Sequence, residues 1–478
     1  MLGIVSGPAV RYGTPTARWV LAATVLGSGV AFLDGTVVNV ALPAIADDLG
    51  ASITGLQWTV NAYLVTLSAL LLLGGSLGDR FGRRTMFVAG LAGFTFASLF
   101  CGLAPSTGFL IAARAIQGVA GALLVPGSLS IIAATFHPDD RGKAIGAWSG
   151  LAGVASSIGP FLGGWLIDAV SWRLVFLINV PLAAAAIAIA VRHVPETRSS
   201  DDKPLDVQGA LLVTLGLACL SYAAIERQAP AAALGVVAVA AFLWIERRSS
   251  HPMLPLHIFR SRQFTGANLT TLAVYAGLSG ALFLVVLRLQ VSLGYSALEA
   301  GAALVPFTIL MLLLSPAAGQ FGQRVGARVP MTIGPLVASV GLLLFSTIGP
   351  GDRYVTSVFP AVFVFGLGMT FTVAPLTAAV LGSVSDAMAG VASGVNNAVA
   401  RLAGLLAVAA LPALAGIDPG APIAEGLDAG FTTALRIAAA ICALGGVAAA
   451  LVVRETSEVR SVVHASPHHA CNDPMVRV

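Results

Sequence analysis

Long apolar runs follow one another along almost the whole chain, parted by short segments that hold most of its charge. A helix needs about 20 apolar residues to cross a bilayer, and in lipid its backbone must satisfy its own polar groups. Runs near 19–42, 55–77, 85–104, 108–134, 143–167, 173–191, 207–225, 230–245, 265–289, 298–318, 330–348, 355–381, 390–414 and 429–453 meet that length, which predicts fourteen transmembrane helices. Charged residues make up 10% of the chain, against about 25% in a soluble domain. The expected class is therefore all-α and integral to the membrane. The first run exceeds the roughly 7–15 residues of a signal-peptide core and others follow at once, which argues against a cleaved leader.

Between the second and third runs lies Gly75-Ser-Leu-Gly-Asp79-Arg80-Phe-Gly82-Arg83-Arg84, read as a glycine-rich turn dense in charge. It resembles the loop signature GxLaDrxGrr of the major facilitator superfamily. A weaker copy, from Gly319 through Gly322, Arg324 and Gly326 to Arg328, aligns with it without a gap. Internal repeats of this kind build many secondary transporters, with the substrate site between the repeats. Eight expected helices separate the two copies where a plain six-plus-six duplication would place six. The arrangement is then six, two, six, matching the fourteen-helix drug:proton antiporter group. This divides the chain into a cytoplasmic leader (1–18), a six-helix domain (19–192), a linker with two additional helices (193–262), a second six-helix domain (263–454) and a disordered cytoplasmic tail (455–478). Nineteen of the 26 Lys and Arg residues fall on the side of the N-terminus, so both termini are expected in the cytoplasm.

The first helix carries Leu33-Asp34-Gly-Thr36-Val-Val-Asn39-Val-Ala-Leu-Pro43, similar to the LDxTVVNVALP phrase of that group. Asp34 is the acidic residue set well inside a span, where a carboxylate costs several kcal/mol unless protonated or paired. On the fourth helix, Arg114-Ala-Ile-Gln117-Gly118 resembles the RxxQG motif, whose arginine the resemblance ties to proton coupling. At about 1.5 Å per residue, Arg114 lies about 9 Å from the outer end of its helix and Asp34 about 13 Å from Pro43. Similar depth predicts that the two meet directly or through water. Gly159-Pro160 and Gly163-Gly164 resemble the GxxxGPxxGG antiporter motif, in which Pro160 removes a helix hydrogen bond and the glycines open a packing face. Together with Gly75, Asp79, Arg80, Gly82, Arg83 and Arg84, these four residues are the expected conformational elements.

Polar side chains within the spans supply cavity candidates: Asn39, Gln57, Trp58, Asn61, Tyr63 and Gln117 in the first domain, and Asn268, Tyr275, Asn396 and Asn397 in the second. Trp58 and Asn61, three apart, are expected to share a face. Trp172 and Arg173 are read as anchors of the sixth helix. The cysteines Cys101, Cys219, Cys442 and Cys471 show neither disulfide nor metal-site spacing, and His464, His468 and His469 sit in the tail.

The resemblance implies a multi-pass protein of the cytoplasmic membrane, a monomer that exports small hydrophobic or cationic compounds in exchange for protons. It implies no enzymatic activity, no cofactor beyond the proton gradient and no nucleic-acid partner. The chain has no GxxxxGK[ST] stretch, which disfavours an ATP-driven pump. The alternatives are movement of one dedicated metabolite or lipid, and a non-transporting sensor of the same fold.

Overall fold

The computed structural model describes residues 10–198, 204–385 and 388–453. Positions 1–9 of the expected leader, Lys203 in the linker, and the tail 455–478 with its histidines lie outside the described residues.

Among the described residues, fourteen helices are long and apolar enough to cross a membrane. In chain order they are α1 (Pro15–Leu49), α2 (Ile53–Phe81), α3 (Arg83–Gly102), α4 (Thr107–Thr135), α5 (Pro138–Ala169), α6 (Leu174–His193), α7 (Val207–Ile225), α8 (Ala229–Arg248), α9 (Arg262–Ser292), α10 (Ala297–Val325), α11 (Arg328–Phe345), α12 (Tyr354–Gly382), α13 (Gly390–Leu414) and α14 (Ile423–Val452). The count and order agree with the reading of the sequence; several ends differ for local reasons. α1 starts at Pro15, earlier than expected, because the Thr14 side chain caps it and proline suits the first turn. The segment before it is pinned: Val10 exchanges backbone hydrogen bonds with Thr135 and His137 at 2.9 and 3.0 Å. α4 is interrupted at Ala122–Leu123.

The stretch from Gly75 is not a loop over its length. α2 remains helical to Phe81, since glycines in a helix need no special backbone, and the chain turns only at Gly82 (φ 109°). At the matching position of the second copy, between α10 and α11, Gly326 has φ 85°. Both turns use a left-handed backbone that a side chain would strain, which is the physical content of the repeat.

α1–α6 form one bundle, with α1 against α5 and α6 and α2 against α4; α9–α14 form the other, with α9 against α13 and α14 and α11 against α12 and α14. The two bundles meet chiefly where α2 packs on α13 and α5 on α10. α7 and α8 make a separate hairpin, and α7 rests on both α2 and α13, so the additional pair lies along the seam between the bundles.

Candidate functional site

Asp34 sits roughly midway along α1 and has no solvent-exposed surface. Arg114 and Gln117, three residues apart on α4, present one face to it. The guanidinium Nη1 of Arg114 lies 2.5 Å from Asp34 Oδ2, while Gln117 Nε2 donates to Asp34 Oδ1 at 2.9 Å. Asn179 of α6 donates to the same Oδ1 at 3.2 Å. Ser98 of α3 joins these partners, accepting from Gln117 at 2.8 Å and from Asn179 at 3.2 Å.

Arg114 is held from the other side too. It donates to the Thr59 carbonyl of α2 at 3.1 Å and to Gln117 Oε1 at 2.6 Å. Its guanidinium lies over the Tyr63 ring at 4.3 Å and the Phe176 ring at 5.7 Å, where ring faces attract a cation. Arg114 is 1% exposed. Taking both charges out of water is costly, and their pairing offsets that cost only with further hydrogen bonds to the two groups, which Gln117, Asn179 and the Thr59 carbonyl supply. An arginine stays protonated in proteins, so Arg114 keeps its charge in this cluster.

The depth argument from the sequence therefore agrees with the geometry of Asp34 and Arg114. Gln117, expected to line a cavity, is instead inside this cluster because its spacing from Arg114 turns it toward α1. Asn179 was not among the expected site residues, although it lies in the stretch Trp172-Arg173-Leu-Val-Phe-Leu-Ile-Asn179-Val-Pro181, which resembles the WRxxFxxNxP phrase of the fourteen-helix group.

The other candidate positions fall into three groups. Gln57 is buried and donates across the seam to the carbonyls of Val408 and Ala409 on α13, at 2.8 and 3.1 Å. The Asn61 amide faces Leu405 O and Ala409 N of the same helix, 3.3 Å from each. Trp58 turns elsewhere and donates to Glu226, just past α7, at 2.8 Å. Trp58 and Asn61 thus serve different helices rather than one cavity wall. Asn39 is half-buried and bonds back to Gly35 of its own helix at 3.4 Å. In the second bundle Asn396 donates to Thr271 at 2.7 Å and Asn268 at 3.2 Å, Asn397 bonds its own helix at Ser393, and Tyr275 is half-buried.

The expected conformational elements lie at both ends of the bundles. Near the termini, Asp79 and Arg83 pair at 2.8 Å, and Glu196 after α6 accepts from the backbone of Arg84 and Thr85, both at 3.0 Å. Toward the opposite end, a β-carbon at Gly159 or Gly163 would come within 2.2 Å of Thr36 or 2.1 Å of Val37 on α1. A β-carbon at Gly164 would meet Ala297 O of α10 at 2.4 Å, and one at Gly301 would meet Pro160 O at 2.2 Å. Here α5 and α10 touch backbone to backbone. At the end of α5, Asp168 accepts from Ser296 Oγ and from the backbone of Ala297 and Leu298 at 2.7, 3.1 and 2.9 Å. Gln290 adds a bond to Val40 O at 3.0 Å. These bonds join the bundles in the half away from the termini. Trp172 and Arg173 both reach Asp48, at 3.0 and 2.5 Å, and tie α6 to the end of α1.

Residues 24–408 match the family model described as Major Facilitator Superfamily. The tetracenomycin C resistance and export protein of Streptomyces glaucescens is 34% identical over 407 residues, 82% of this chain and 75% of that protein. The puromycin resistance protein of Streptomyces alboniger is 32% identical over 478 residues, 95% of each. Among solved structures, an inward-facing bacterial homolog of the human lysosomal transporter Spinster superposes with a TM-score of 0.65 at 17% identity, covering 92% of this chain and 98% of that one.

Proposed function

The chain belongs to the major facilitator superfamily, and from that premise we propose that it is a proton-coupled exporter of small, largely apolar compounds across the cytoplasmic membrane. It is a multi-pass membrane transporter and not an enzyme. Export of drug- or antibiotic-like cargo is supported by relatives whose names record resistance and export. Both termini are placed in the cytoplasm on the distribution of Lys and Arg.

The observation that carries the proton-coupled reading is the buried Asp34–Arg114 pair. Protonating Asp34 removes the charge that Arg114 is matched to and leaves a buried cation with only amide, hydroxyl and carbonyl partners. The cluster then favours a different arrangement of α1 against α4 and α6, because an unmatched buried charge costs several kcal/mol. Since Asp34 and the α5 contacts share α1, proton loading can bias the balance between open and closed seams. The contacts of Gly164 and Gly301, the Asp168 cap and the Gln57 bonds hold one seam shut, and Asp79, Arg83 and the Glu196 contact act at the other end in alternating access.

The test is accumulation in everted vesicles. With a proton gradient, aromatic dyes and antibiotics are expected to accumulate, and nigericin is expected to abolish it. Accumulation unaffected by collapse of the gradient would contradict antiport.

A further inference from the structure

Arg401, near the middle of α13, is half-buried and makes no hydrogen bond or ion pair with any described residue. Its surroundings belong to the other bundle: the guanidinium lies 5.6 Å from the Phe32 ring centroid, and a β-carbon at Gly35 would stand 3.8 Å from its Nη1. On α1, which is otherwise largely buried, Phe32, Gly35, Thr36 and Asn39 are half-exposed. Their spacing of three, four and seven places them on one helical face, and Arg401 lies against the Phe32 and Gly35 part of it. The remaining charge on those turns, Asp34, points away and is already matched by Arg114. Arg401 therefore leaves an unmatched positive charge at mid-depth between α1 and α13, which is expensive in a membrane and marks a functional position.

A fixed cation that carries a planar fork of donors suits a carboxylate or an ionised phenol. It repels an ammonium. We propose that Arg401 forms an anion-recognising subsite between the bundles, so that the preferred cargo is an apolar molecule bearing one negative group. This rests on the proposed export of cargo between the two bundles and narrows the expected substrates by excluding cations.

The experiment measures binding to the purified full-length protein in phosphatidylcholine nanodiscs, free of anionic lipid. The probes are pyrene carboxylate, its methyl ester and a pyrenyl trimethylammonium salt, followed by fluorescence. The wild type is expected to bind the carboxylate about tenfold more tightly than the ester, the effect of one hydrogen-bonded charge contact. Arg401→Gln should erase that preference while leaving ester binding unchanged, and Arg401→Lys should keep part of it. The assignment is overturned if the wild type shows no preference for the carboxylate, whether through equal binding or none, if the preference survives Arg401→Gln, or if that variant weakens all three probes alike. Arg401-dependent binding of the carboxylate without its export from proteoliposomes would leave the subsite standing and remove the export reading.

Discussion

The contact of Gly164 with α10 constrains the movement of the bundles, and substituting it tests the seam directly. In Gly164→Ala the new methyl would lie 2.4 Å from Ala297 O and 2.6 Å from Leu298 Cα. Both are backbone atoms and cannot rotate aside. Overpacking of this kind costs about 1–3 kcal/mol. The strain exists only while α5 and α10 are in contact, so it bears on the closed seam and not on the open one. The ratio of open to closed molecules should rise by about fivefold to about 150-fold. Spin labels at the exposed positions Gly108 and Thr356, one on each bundle at the end away from the termini, would report the change by double electron–electron resonance. The variant should shift toward longer distances. Gly153→Ala on the same helix, where a β-carbon meets nothing within 4 Å, should leave the distribution as in the wild type. An unchanged distribution in Gly164→Ala, or an equal shift in Gly153→Ala, would refute the assignment of this contact as the closing surface.

Two further outcomes follow from the same contacts. Arg114→Met leaves the Asp34 carboxylate buried without its cation and should cost about 3–5 kcal/mol of stability; adding Asp34→Leu should recover much of the loss in the detergent unfolding midpoint, whereas additive losses would argue that the two charges are not matched to each other. Trp58→Phe removes the indole bond to Glu226, a contact worth about 1–2 kcal/mol, and hydrogen exchange along α7 should quicken; unchanged protection would mean that the hairpin is held to α2 by other contacts.

Much of the architecture was legible because it rests on local properties. Length and apolarity of each run fix a helix in lipid, and Gly82 and Gly326 mark their turns because few other residues accept that backbone. The meeting of Asp34 and Arg114 was also within reach, since rise per residue sets depth and charges at one depth in an apolar bundle seek each other. Partners from distant helices were not legible in this way. Gln57 bonds to a carbonyl 351 positions away, and nothing near Gln57 distinguishes such a bridge from a cavity wall. Gly301, which receives Pro160, lies in no motif of its own. Asn179 completes the Asp34 shell from a helix whose neighbouring residues are apolar, so its role became apparent only when α1, α4 and α6 were brought together.

The central claim is that the proton exchanged for cargo is held by the carboxyl of Asp34. Purified protein in weakly buffered detergent solution, mixed with a transported compound in the presence of a pH indicator, reads this directly. The account predicts that cargo displaces a proton from the wild type and displaces none from Asp34→Asn, with binding of the compound retained in both. Equal proton release from the two proteins would contradict it.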